Sequence, residues 1–151
     1  MAMDQQREVE GLVHLDETEC WEFLARHHLG RVGLVHVDQP MIFPVNYALD
    51  GHSVVFRTAP GTKLAMAAAG RPAVFEVDEA SELFETGTSV MVHGALQEIT
   101  DPVERRHARE LPIRPWARGD RDHYVRIDEH WISGRRIPMP EDADGIAADG
   151  G

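Results

Sequence analysis

The sequence predicts a mostly β chain, an antiparallel β-barrel with short helices at its edges. Three observations carry that prediction. About six apolar or alternating runs of strand composition follow one another along the chain. The first three of them read as a meander, two joined through Asp50-Gly51, a hairpin dipeptide that tolerates positive φ at both central positions. Only three helical stretches accompany the strands, and each is short.

Taken in order, Met1–Glu10 is polar and reads as a disordered segment ahead of a single domain over 11–137. Asp16-Glu17-Thr18-Glu19 resembles a capping box, and Trp21, Leu24 and Ala25 supply an apolar stripe. A helix over Asp16–Leu29 follows, with Gly30 as its terminator and Trp21 in the core. His27 and His28 fall in its last turn, where they complement the negative end of the helix dipole. Cys20 reads as a small structural residue. Arg31–Val37 is the first strand, Asp38-Gln39-Pro40 a turn, Met41–Leu49 the second strand and Ser53–Thr58 the third. A helix over Thr62–Ala69 ends at Gly70, and Pro72–Asp78 is a fourth strand. Asp78–Thr88 is acidic without clean periodicity and reads as a loop. Ser89–Ile99 returns to β, with Gly94 marking a bulge or a close backbone approach. Pro102–Glu110 is a helix capped by Asp101 with Pro102 at its first position. Leu111–Arg121 reads as an ordered loop and Tyr124–Ile137 as a last strand or bent strand pair. Residues 138–151 are rich in Pro, Asp, Ala and Gly and read as a disordered tail.

At 151 residues the chain is long enough for one domain with a real core. A formal net charge of -11 argues against nucleic acid and against anionic membranes as partners, because both demand a basic surface. The single cysteine cannot form an internal disulfide, which fits a cytoplasmic location. The sequence shows no signal peptide and no apolar run long enough to span a bilayer. Nine histidines show none of the ligand spacings of known metal motifs, so no metal site is expected. Strand alternation puts His93 opposite Val90 and Val92, as a hydrogen-bonded barrel histidine or a group approaching a cofactor or partner. Asp120-Arg121-Asp122 reads as a solvated turn. Trp116 is open between core, interface and lid.

The stretch Val54–Leu64 gathers the chemistry. Arg57 and Thr58 end a strand, Ala59-Pro60-Gly61 turns the chain, and Thr62-Lys63 opens a helix. A guanidinium, two hydroxyls, an ammonium and a helix start lie within a few residues, and each favours a phosphate dianion. The alternative is a pair of solvated charges beside a capping threonine. A P-loop is excluded, since Gly61 and Lys63 are split by Thr62 and followed by Leu64.

Several local motifs, in their order, resemble a known family. They are Leu29-Gly30-Arg31-Val32-Gly33, Phe43-Pro44-Val45-Asn46-Tyr47, Phe56-Arg57-Thr58 with Gly61-Thr62-Lys63, Ser89-Val90-Met91-Val92-His93-Gly94, and Ser133-Gly134-Arg135-Arg136-Ile137. Over Leu15 to Ile137 the chain resembles the short bacterial pyridoxamine 5'-phosphate oxidase-like proteins of the FMN-binding split-barrel superfamily. The resemblance implies a split antiparallel β-barrel, a homodimer and FMN at the subunit interface. It implies that Arg57, Thr58 and Lys63 hold the flavin phosphate, with Thr62 beside them, and that Val45 and Asn46 run along the isoalloxazine ring. Ser89 and Val90 would close the site, and Trp131 and Arg135 would approach from the C-terminal region. A cation near N1 and O2 of the ring would stabilise reduced flavin, a role open to Lys63 or Arg57. The implied activity is an oxidoreductase acting on a small molecule, with no independent acid, base or nucleophile in evidence. The longer oxidases of vitamin B6 metabolism carry substrate-phosphate ligands with no counterpart here, so the substrate stays unidentified. The alternatives are a non-catalytic module that stores or senses flavin, deazaflavin or haem, and a barrel without cofactor.

Overall fold

Strand alternation decides where the core of this protein lies. The structure, a computed structural model, describes residues 11–114 and 122–139. Its elements are β1 (Val13–Leu15), α1 (Glu17–Ala25), β2 (Leu29–His36), β3 (Gln39–Asp50), β4 (Ser53–Thr58), α2 (Thr62–Ala68), β5 (Pro72–Ser81), β6 (Thr86–Glu98), α3 (Pro102–Glu110) and β7 (His123–Ile137). The strands run β1-β7-β4-β3-β2-β5-β6, and β6 pairs back onto β7, so six antiparallel strands close a ring. β7 is the seam. One of its edges takes β6 along nearly its whole length, while the other is shared between β4 and the short β1.

Inside the ring, Val32, Val54, Phe56, Phe75, Val90, Val92, Leu96, Val125 and Ile127 are fully buried at alternate strand positions. α1 adds Cys20, Phe23 and Leu24 to this core. A smaller cluster of Val55, Ile99, Ala108 and Tyr124 lies on the other side of β4, beneath α3. Trp21 is half-buried at the margin of the main core rather than within it. Among the described residues no helix is long and apolar enough to cross a membrane.

Two helix starts follow the sequence closely. Asp16 accepts the Glu19 N–H at 2.8 Å, and Asp101 accepts the N–H groups of Val103 and Glu104. The bulge expected at Gly94 is present as a register shift against β7, where an added Cβ would lie 2.0 Å from the Asp128 carbonyl oxygen.

Other expectations are corrected. α1 stops at Ala25, because the chain must turn to enter β2 at Leu29. Gly30 is therefore no terminator; it lies inside β2, where an added Cβ would sit 2.3 Å from the Phe75 ring. His27 falls past the helix, although its Nδ1 still meets the Phe23 carbonyl at 2.8 Å, and the His28 carbonyl accepts the Tyr47 N–H. The β2–β3 turn is Val37-Asp38, both at positive φ, and Gln39 and Pro40 already belong to β3. In the β3–β4 turn the positive φ falls on Gly51, while Asp50 pairs with Ser53 in the ladder. The acidic stretch from Asp78 to Thr88 is mostly strand: β5 and β6 stay paired out to Ser81 and Thr86. Its side chains are largely solvated, so backbone hydrogen bonds set the hairpin without any apolar period. β1, at three residues, is too short to show a period. The segment Met1–Glu10, Trp116 with the rest of residues 115–121, and the tail beyond 139 lie outside the described residues.

Candidate functional site

The Val54–Leu64 stretch folds as strand, turn and helix. Arg57 and Thr58 are consecutive in β4 and so face opposite sides of the sheet. Thr58 is 2% exposed, and its hydroxyl donates to the Ala59 carbonyl at 3.1 Å. Arg57 lies over the Tyr124 ring, 5.4 Å from its centroid, on the α3 side of β4. Lys63 stands in the first turn of α2 with Nζ 4.4 Å from the centroid of Phe43, a ring packed against the main core. Gly61, with no side chain to cap with, is the N-cap of α2, and Thr62 is its first residue. The two cations thus flank the turn, each resting on a different aromatic ring. Such cation–π contacts are worth about 0.5–1 kcal/mol at exposed sites. Charge-assisted hydrogen bonds to an anion are worth about 1.5–3 kcal/mol, so a phosphate would outcompete the rings.

The remaining candidates divide between β3 and the β6–β7 pair. Val45 is buried and pairs with Gly30, while Asn46 points to the other face and is half-buried. Ser89 pairs with Arg135, and Val90, fully buried, pairs with Gly134. Ser89, Arg135, His14, Met91 and Ser133 line a small recess. Trp131 pairs with His93 across the bulge, and their rings stack with centroids 3.8 Å apart and planes 11° apart. The candidates therefore fall at the turn after β4, on β3, and on the outer face of β6 and β7, with Val90 turned into the core.

That outer face holds unsatisfied polar atoms. His93 Nε2 is buried and makes no hydrogen bond, contrary to a hydrogen-bonded barrel histidine. Burial holds this imidazole below the usual histidine range. Glu76, opposite Met91, has a buried Oε1 without a partner. Burial pushes the Glu76 carboxyl up, the charge of Asp78 and a hydrogen bond with it add to the rise, and Arg31 opposes it. Arg31 in turn meets Asp78 at 3.1 Å. Cys20 is buried with its thiol pushed up by burial first and by Asp16 next, the reverse of an activated nucleophile. Tyr47 donates to the Leu24 carbonyl, and burial pushes its phenol up.

Sequence reasoning missed Tyr124 and Phe43 as rests for the cations, and Glu76 on the outer face. For Glu76 a signal exists: it alternates with Phe75 and Val77 in a strand that the sequence predicts. A cavity of about 850 Å³ lies elsewhere, between α1 and the β5–β6 hairpin, lined by Phe23, Arg26, Glu79, Thr88 and Arg136 among others. It includes none of the candidates. Of them, Ser89 and Arg135 line the small recess, while Val45, Thr58 and Val90 are buried.

A six-stranded antiparallel ring with peripheral helices, a basic turn after β4 and a polar outer β6–β7 face defines a split β-barrel of the pyridoxamine 5'-phosphate oxidase type. The sequence pattern of the pyridoxamine 5'-phosphate oxidase family matches residues 16–136, and the chain belongs to that family. It is 31% identical over 131 residues to the uncharacterized protein Rv0080 of Mycobacterium tuberculosis, covering 83% of this chain and 86% of that one. The FAD binding protein of Mycobacterium smegmatis superposes with a TM-score of 0.68 at 32% identity, over 83% of this chain and 98% of that one. A Corynebacterium glutamicum protein named for the same oxidase superposes with a TM-score of 0.75 at 32% identity, over 85% and 99% of the two chains.

Proposed function

We propose that this protein is a flavin-dependent oxidoreductase of the cytoplasm, acting on a small molecule. It works as a homodimer that holds FMN between its subunits. Membership of the oxidase family across residues 16–136 carries this reading. The donor set fits the cofactor, because Arg57, Lys63 and Thr62 offer a phosphate two cations and a hydroxyl at one turn, with Thr58 contributing backbone. Val45 and Asn46 provide the edge along the ring, Ser89 and Val90 close it, and Trp131 and Arg135 complete it from the β6–β7 face. None of the candidates lines the cavity of about 850 Å³, which supports a site that a second copy completes.

When bound, a flavin supplies the hydride or electron transfer. The chain's part is to anchor the phosphate, exclude water with Trp131 and keep a cation, Lys63 or Arg57, where negative charge develops. Purified protein should take up FMN with a shifted absorbance band and quenched flavin emission. Lys63→Ala and Arg57→Ala should each weaken uptake by about 1.5–3 kcal/mol, roughly 10- to 150-fold. Uptake unchanged in both variants would place the phosphate elsewhere. The Mycobacterium smegmatis relative is named for FAD, so chromatography of the released cofactor decides between FMN and FAD.

A second reading is a carrier of flavin, deazaflavin or haem, favoured because no acid or base stands in the turn group between Arg57 and Lys63. Stopped-flow reduction by a nicotinamide donor separates the two. Rapid cycling excludes a pure carrier.

A further inference from the structure

We propose that Glu17, His52 and Glu129 form a binding site for a divalent transition-metal ion of the zinc type. Each offers one ligand atom, and the three atoms lie within 4.8 Å of one another. Around a tetrahedral ion with ligands at about 2.0–2.2 Å, donor atoms stand roughly 3.5 Å apart. Small side-chain rotations therefore suffice to close the shell.

The three come from separate parts of the chain: the first residue of α1, the β3–β4 turn, and β7. That is why no spacing motif announces them. The framework is nevertheless tied together. The Glu129 N–H donates to the His52 carbonyl at 3.3 Å, joining the two β elements. The His52 imidazole stacks on Trp21 of α1, with centroids 4.7 Å apart and planes 8° apart, which fixes the ring. His52 Nδ1 already approaches Glu17 Oε1 at 3.9 Å.

Charge gives the reason for a cation. Two carboxylates converge on one imidazole, and among the described residues neither meets a lysine or arginine. Like charges brought this close repel, and a divalent ion cancels both at once. One imidazole with two carboxylates suits zinc and its neighbours rather than magnesium or calcium, which take oxygen alone. The remaining positions stay open to water. Bound there, the ion clamps the start of α1 to the β3–β4 turn and β7. This site is independent of the flavin reading.

The test uses the full chain, freed of metal by chelation and titrated with Zn²⁺ alone by calorimetry and thermal unfolding. The expected result is one saturable site with a rise in the unfolding midpoint. His52→Ala and Glu129→Gln should each weaken the affinity at least about tenfold. His107→Ala, at an α3 histidine that pairs with Asp50 and is not one of the three ligands, should leave it unchanged. Cu²⁺ should quench the emission of Trp21, and Trp21→Phe should remove that part of the quench. All three ligands are at least partly exposed, so the metal-free variants should unfold near the parent; should His52→Ala not fold, Glu129→Gln decides. No saturable Zn²⁺ binding, or equal weakening by His107→Ala, would overturn the proposal.

Discussion

The two faces of β5, β6 and β7 are made from the same strands and differ in almost everything else. Inward, Phe75, Val90, Val92 and Leu96 are fully buried and wholly apolar. Outward, the residues between them are Glu76, Ser89, Met91 and His93, with Trp131 and Arg135 alongside on β7. The inner face is satisfied within one chain. The outer one is not, since Glu76 Oε1 and His93 Nε2 are shielded from water yet unpaired. An unsatisfied buried polar atom costs about 1–3 kcal/mol, so the outer face costs stability that the inner face supplies.

If that division is right, inner substitutions carry the largest effects. Phe75→Ala should lower stability by about 3–5 kcal/mol, read as a fall in the denaturation midpoint at unchanged slope. Gly94→Ala should cost about 3 kcal/mol or more, because its Cβ would strike the Asp128 carbonyl at the seam of the barrel. A loss below about 1 kcal/mol in Phe75→Ala would mean that the ring does not fill the core.

The inner face was also the legible one. Alternation in Pro72–Val77 and Ser89–Val92 and the unbroken apolar run Val54–Phe56 mark buried positions directly, and the caps at Asp16 and Asp101 follow from one side chain each. Elements held mainly by backbone pairing gave no such mark. The hairpin beyond Asp78 is largely solvated, and β1 adds only Leu15 to the core beside its pairing with Gly134–Arg136. Of the site, the basic turn could be read because its residues are contiguous. The rings beneath Arg57 and Lys63, at Tyr124 and Phe43, could not, since distant strands deliver them. The same holds for the Glu17, His52 and Glu129 cluster.

On the outer face, effects on the stability of the free chain should be small. His93→Phe keeps the stack on Trp131 and loses no hydrogen bond at Nε2, so its stability should stay within about 1 kcal/mol of the parent, with a gain as readily as a loss. His93→Ala, which removes the stack, should cost about 0.5–1.5 kcal/mol beyond the buried area lost. Chemical denaturation of the two variants side by side measures the difference. A large loss in His93→Phe would show that the imidazole is bonded within the chain and would erase the contrast between the faces.

The smallest effect is the most discriminating, because the two outer groups pull stability in opposite directions with pH. His93 has a folded pKa below its unfolded one, so from about pH 6.5 downward the unfolded chain binds more protons, and its contribution is lost as pH falls. Glu76 has a folded pKa above its unfolded one. Above about pH 4.5 the folded chain therefore holds the extra proton, and its contribution is lost as pH rises through the folded value. Where these windows overlap the two slopes offset each other in the parent. Glu76→Gln should unmask the rising limb, so that thermal midpoints climb from pH 5 to pH 7 more steeply than in the parent. His93→Phe should unmask the falling limb above about pH 4.5, and the double variant should return toward the parent's profile. Two single variants that tilt the same way would mean that the groups do not share one shielded face. Binding of a second chain or a flavin that satisfies both atoms should flatten both limbs, which ties this smallest effect to the function proposed for that face.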